Sequence, residues 1–189
     1  MDVYYFPGSL YSALALIRIG PLARAAGVPL AWRPFNVRQI MTEQNNVPRN
    51  NPVKMKYLWR DLERRCARHG VTYRPGIPHP VDPDLLACRV AVLAAAEGWC
   101  GELAERSSAA WFAEHRAPHD LAPTLRALGQ DPERVLRRAE SDPVRARLEE
   151  NTNAARGLGI FGAPSFVAAD EVFWGDDRLD EALEWAKKP

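Results

Sequence analysis

Phe161-Gly162-Ala163-Pro164-Ser165-Phe166 is the stretch on which the reading of this chain turns. A proline cannot donate to a sheet ladder, so one placed directly before the apolar run Ser165-Phe166-Val167 belongs at the first residue of a strand. An X-Pro bond in such a place can be cis, and Ala163-Pro164 is predicted to be so. The backbone N–H and C=O ahead of the proline are then available to grip an extended peptide.

At the other end of the chain, Ser9-Leu10-Tyr11-Ser12 opens a helical run that reaches Gly27. Ser9 stands at the helix mouth, where unpaired N–H groups and the dipole favour an anion and where a hydroxyl can donate to a thiolate. A serine there is also the ordinary N-cap. Asp2 to Phe6 reads as a strand ended by Pro7-Gly8, and Leu30 to Phe35 as a second, giving a β-α-β unit with a parallel pair. Ile40 to Asn50 is polar and Asn-rich and reads as loop.

Helix punctuation follows. Asn51-Pro52, Asp82-Pro83, Asp131-Pro132 and Asp142-Pro143 each set a good N-cap before a proline suited to the first helical position. Gly70, Gly98, Gly129 and Gly157 fall near matching ends, and Gly101 to Arg116 supplies a further helix. Residues 52 to 157 are predicted to be nearly all helix. After Gly159 come strands at Ser165 to Ala168 and Val172 to Trp174, then a last helix carrying Leu179, Ala182, Leu183 and Trp185. This order predicts an α/β, thioredoxin-like fold with a large all-helical insertion: residues 1–36 and 158–189 form the thioredoxin-like domain, and 37–157 the connecting loop and insertion. That fold carries a Cys-x-x-Cys at the first helix; here Ser9 and Ser12 fill the spacing, so a sulfur must come from a ligand.

The composition agrees with a small-molecule site. The 25 basic and 24 acidic residues of the 189 nearly cancel to +1, so no global field draws nucleic acid or anionic lipid. The N-terminus lacks a basic signal-peptide region, and the apolar stretch Leu10 to Ala26 is interrupted by Arg18, Pro21 and Arg24; a cytoplasmic chain is expected, with no membrane and no nucleic-acid partner. Cys66, Cys88 and Cys100 form no Cys-x-x-Cys and read as buried free thiols. His115 and His119 are separated by Pro118, and metal catalysis is not expected.

Three patches together resemble the 2-hydroxychromene-2-carboxylate isomerases and their relatives, the kappa-class glutathione transferases. They are Asp2-Val3-Tyr4-Tyr5 through Ser9 to Ala15; Pro52-Val53-Lys54 with Tyr57-Leu58-Trp59-Arg60-Asp61-Leu62; and Phe161 to Pro164 with Phe173-Trp174-Gly175-Asp176-Asp177-Arg178-Leu179. The resemblance implies glutathione as cofactor, with Ser9 as the catalytic residue facing its thiol. It implies that Asn46, or Asn45 beside it, contacts the peptide ahead of Pro48, that Lys54 lies near the glycyl end, and that Ala163 before Pro164 pairs with the cysteinyl unit. Asp176, Asp177 and Arg178 would receive the γ-glutamyl end, and Tyr11, Tyr57 and Trp174 the substrate. The chain departs from the family at Phe6, commonly acidic, at Leu10, commonly proline, and at Pro7-Gly8.

The function so implied is glutathione-dependent cis-trans isomerisation of an aromatic or unsaturated oxo-acid by reversible thiolate addition, in a homodimer. A kappa-like transferase or peroxidase that consumes glutathione and a non-catalytic glutathione- or peptide-binding module are the competing expectations. A disulfide oxidoreductase is disfavoured, since neither Ser9 nor Ser12 can form a disulfide.

Overall fold

Strands β1 (Asp2–Tyr5), β2 (Ala31–Pro34), β3 (Ser165–Ala168) and β4 (Glu171–Trp174) form one sheet in the order β2-β1-β3-β4. The computed structural model describes residues 1–47 and 51–187. β1 and β2 run parallel, with Tyr5 opposite Pro34, while β3 is antiparallel to both β1 and β4. The two ends of the chain thus build a single sheet, and the fold is thioredoxin-like.

Between β1 and β2 runs α1 (Leu10–Ala26), capped by Ser9 and ended by Gly27; Pro21 is inside it and the helix continues past it. Then come α2 (Val37–Glu43), α3 (Pro52–Arg68), α4 (Leu86–Glu97), α5 (Cys100–Glu114), α6 (Ala122–Ala127), α7 (Pro132–Ala139) and α8 (Asp142–Gly157). After β4, a 3-10 turn (Asp176–Arg178) leads into α9 (Leu179–Trp185). The loop expected from Ile40 onward begins instead as α2, because Val37 and Ile40 sit three apart and bury on the core while Gln39, Thr42 and Glu43 stay exposed. Pro48 to Asn50 lie outside the described residues.

The helix starts divide. Asn51 and Asp131 cap α3 and α7 through their side chains, as their sequence predicts. In α8 the cap falls one residue earlier, on Ser141. Asp82 does not cap in the usual way: its φ is 57°, and the helix begins only at Leu86. The fully buried carboxylate instead reaches forward to accept from the amides of Ala87 at 2.8 Å and Cys88 at 3.2 Å. The block is also less continuous than predicted, with non-helical chain from residue 69 to 85 and again before α6. Gly159, not Gly157, takes the left-handed position after α8.

α1 separates two apolar clusters. One joins the sheet to α4, α8 and α9 through Val3, Tyr5, Phe166, Val90, Leu93, Leu148 and Leu179; the other joins Leu10 and Leu14 of α1 to Leu62, Trp111 and Phe112. The first cluster mixes both parts of the chain, so the proposed division into 1–36 plus 158–189 and 37–157 is one of chain order and not of separate cores.

Candidate active site

Strand directions bring four chain segments to one edge of the sheet. β1 and β2 end there side by side, and the pairs Tyr4 with Ser165 and Ser165 with Trp174 place the start of β3 and the end of β4 beside them. The mouth of α1, the start of α2, the Ala163-Pro164 bond and the Trp174–Arg178 segment therefore converge, and a cleft of about 540 Å³ opens between them and α3. That volume suits a small ligand.

Ser9 is at the centre of this edge. Its Oγ accepts from the amide of Ser12 at 3.2 Å, as an N-cap does, and donates to the carbonyl of Ala163 at 3.0 Å. Ala163-Pro164 is cis. One hydroxyl thus satisfies the capping reading and also ties the helix mouth to the proline loop 154 residues away. No acidic residue occupies the first turn of α1, so the helix end keeps its attraction for an anion. Ser12 is fully buried and its Oγ has no partner among the described residues.

Ser9, Tyr11, Tyr57, Ala163, Trp174, Asp176, Asp177 and Arg178 all line the cleft. Pro164 is buried behind it, Asn46 stands next to the lining residue Val47, and Lys54 is exposed on α3, so these three do not line it. Trp174 lies tilted against Phe161 at 4.7 Å between centroids, and a Cβ on Gly162 would collide with its indole; the glycine is what lets the ring lie on the proline loop.

Asp176 of the last motif lines the cleft and is paired within the protein. Its side chain is only 3 % exposed, and Oδ2 accepts from Arg65 Nε at 2.9 Å and Nη2 at 2.7 Å, with Arg18 at 3.8 Å. It is engaged by cations of α1 and α3, whereas Asp177 is exposed and lies 3.9 Å from Arg178. Burial pushes the Asp176 carboxyl above its ordinary value, although the hydrogen bond and charge of Arg65 oppose it. Arg178 is half-exposed and pairs with Glu181 at 3.4 Å.

Asp61 and Arg65 received no role from the sequence. Asp61 accepts from Tyr11 Oη at 2.9 Å, Arg64 at 3.0 Å and Tyr57 Oη at 3.4 Å. Burial works to raise its carboxyl, but the hydrogen bonds from Arg64 and Tyr11 outweigh it and leave the group low. The Tyr11 hydroxyl is pushed up by burial and by that same carboxylate, and stays a neutral donor. The four-residue spacings Tyr57 to Asp61 and Asp61 to Arg65 are the local signal that places all three on one helix face. The partners Tyr11 and Asp176 are 50 and 111 residues distant and leave no local trace.

Comparison with known proteins follows the same lines. A family model for the DSBA-like thioredoxin domain matches residues 2–184. A 2-hydroxychromene-2-carboxylate isomerase of Sphingobium xenophagum is 27% identical over 95% of this chain and 94% of its own length. Glutathione s-transferase kappa 2 of Caenorhabditis elegans is 26% identical over 85% of this chain and 80% of its own. A solved structure of 2-hydroxychromene-2-carboxylate isomerase superposes with a TM-score of 0.80 at 26% identity, covering 94% of this chain and 89% of that one. Among the described residues no helix is long and apolar enough to cross a membrane, and no cluster could hold a metal ion.

Proposed function

We propose that this chain, which belongs to the DSBA-like thioredoxin domain family, is a glutathione-dependent isomerase acting on 2-hydroxychromene-2-carboxylate or a similar aromatic unsaturated oxo-acid. The observation that carries the reading is the Ser9 hydroxyl, at the mouth of α1 and 3.0 Å from the carbonyl that precedes a cis proline, in a cleft lined by no cysteine. Such a site can hold and activate a thiol but does not contain one.

The residues present fit glutathione. The backbone of Ala163 offers an extended edge to the cysteinyl unit, while Asp177 and Arg178, charged and exposed on the cleft wall, suit an amino-acid end. Asn46, beside the lining residue Val47, and Lys54, exposed on α3, lie outside the lining and would join the proposed set by reaching the ligand from the α2–α3 side. Glutathione, when bound, would supply a thiolate nucleophile whose reversible addition to a conjugated carbon permits cis-trans interconversion without consuming it. Ser9 then has one task, to donate its proton toward the sulfur and favour the ionised form, helped by the N-terminal amides of α1. To do so the hydroxyl would give up its bond to the Ala163 carbonyl, leaving that oxygen able to accept from a ligand N–H. Tyr11, held by Asp61, Tyr57 and Trp174 line the cleft where the substrate ring would lie.

Calorimetric titration with glutathione, followed by a turnover assay on the chromene carboxylate with and without it, tests the reading. Absence of glutathione binding at millimolar concentration would overturn it. Similarity to a kappa-class transferase favours a second reading, in which glutathione is consumed; accumulation of a conjugate or of oxidised glutathione would identify it.

A further inference from the structure

A second cavity, of about 340 Å³, opens between α1 and α5 and shares no lining residue with the Ser9 cleft. Its floor is apolar: Ile19 and Ala23 of α1, and Val28 just beyond that helix, are all buried. Trp32 of β2 closes one side. Its indole lies against the first turn of α5, where a Cβ on Gly101 would stand 3.0 Å from Cζ2, and meets the Tyr5 ring at 84° with 6.0 Å between centroids. Packed on two sides, the half-buried indole is a fixed aromatic wall.

The rim carries both signs of charge, unpaired. Arg24 on α1 and Glu102 and Glu105 on α5 are exposed, and among the described residues none of the three side chains enters an ion pair or hydrogen bond. Arg24 Nη1 and Glu105 Oε2 nevertheless approach one point, lying 3.4 and 3.7 Å from where a Cβ on Gly20 would stand. Gly20, which precedes Pro21 inside the helix, leaves that space open. A guanidinium and a carboxylate that face one gap without pairing can be joined by a group that accepts from the first and donates to the second. A lone carboxylate would satisfy Arg24 and repel Glu105, and a lone ammonium would do the reverse. An α-amino acid carries both groups on one carbon.

We propose that the α1–α5 groove is a second small-molecule site, which takes an α-amino acid with an apolar side chain: the carboxylate accepts from Arg24, the ammonium donates to Glu105, and the side chain lies on the Ile19–Val28 floor beside Trp32. The volume is within the range of small-ligand pockets. Glu102, three residues before Glu105 on the same face of α5, adds to the negative charge that the ammonium meets. The site does not depend on what occupies the Ser9 cleft, with which it has no residue in common.

L-phenylalanine, phenethylamine and hydrocinnamate share a ring and differ in head group, so they serve as probes. Their binding to the full chain is measured by calorimetry for the wild type, Arg24→Gln and Glu105→Gln, both of which change exposed side chains and leave the core intact. The wild type should bind phenylalanine about tenfold more tightly than either analogue, the size of one charge-assisted contact. Arg24→Gln should weaken phenylalanine and hydrocinnamate and leave phenethylamine unchanged. Glu105→Gln should weaken phenylalanine and phenethylamine and leave hydrocinnamate unchanged. No saturable binding of phenylalanine at millimolar concentration, equal affinity for the three probes, or a phenylalanine affinity indifferent to both substitutions would overturn the proposal. So would sedimentation in which the wild type is a dimer that either substitution dissociates while no amino acid binds, an outcome that assigns the groove to a second copy of the chain.

Discussion

Ser9 has two neighbours that demand different things of one hydroxyl. As a cap it accepts from Ser12, and as a donor it gives its proton to Ala163. Ser9→Ala should therefore cost about 1 kcal/mol of stability through the lost cap. If the proposed role holds, it should also slow turnover more than it weakens glutathione binding and raise the pH at which the bound thiol ionises. Denaturant melts, calorimetry and thiolate absorbance read the three effects separately; loss of stability alone would leave Ser9 as a cap only. Arg65 poses a different residue-scale question, because it is the main partner of a buried carboxylate. Arg65→Met should destabilise by about 2–3 kcal/mol at neutral pH, somewhat less than for a fully buried pair because Arg65 keeps 21% of its side chain exposed. Asp176 is raised in the fold by burial, so its charged form is penalised above the folded value, and the penalty is relieved as pH falls through that value toward the unfolded one. Without Arg65 the shift grows, and the variant's deficit should shrink on mild acidification. A deficit that is the same at neutral and mildly acidic pH would contradict this account.

Among the elements, α4 owes its start to Asp82. This residue stands four positions ahead of the helix, in a left-handed conformation, with its N–H donating to His119 Nδ1 at 3.0 Å and its carboxylate spanning two amides. Asp82→Ala would leave the Ala87 and Cys88 amides unpaired in a buried place, a loss of about 1–3 kcal/mol for each such group. Thermal unfolding should show it, with Asp82→Asn milder because an amide oxygen can still accept from one of the two. Equal stability of Asp82→Ala and wild type would mean that water replaces the carboxylate. The Asp82-Pro83 signal was correct in announcing a helix and misplaced its start, since the local rule assumes extended backbone at the cap. α2 escaped notice for a related reason: its polarity is that of a loop, and only the burial of Val37 and Ile40 makes it a helix.

For the whole molecule, the three thiols set a limit on chemistry. Cys66, Cys88 and Cys100 are buried and free. Burial pushes Cys66 and Cys100 up to about 12, and Cys88 well above its ordinary value. A thiol-specific aromatic disulfide reagent should label none of them in the native protein and all three in denaturant, and the chain should not reduce or oxidise a dithiol peptide substrate. Fast labelling of a native cysteine would show that the core opens more readily than its packing indicates.

Local rules reach as far as periodicity, capping and the conformation of single residues. On those grounds the strands and α1 with its serine cap could be read, whereas the cis proline and the convergence of Ser9 with Ala163 were expected only through the likeness of the element order to a thioredoxin fold. The tertiary structure decided which charges meet: Arg65 with Asp176, Tyr11 with Asp61, and Arg38 on Phe6 beside the Val81 and Asp82 carbonyls. These partners lie tens of residues apart on different elements. Their pairing is set by the burial of α1 between two apolar clusters, which no single segment encodes.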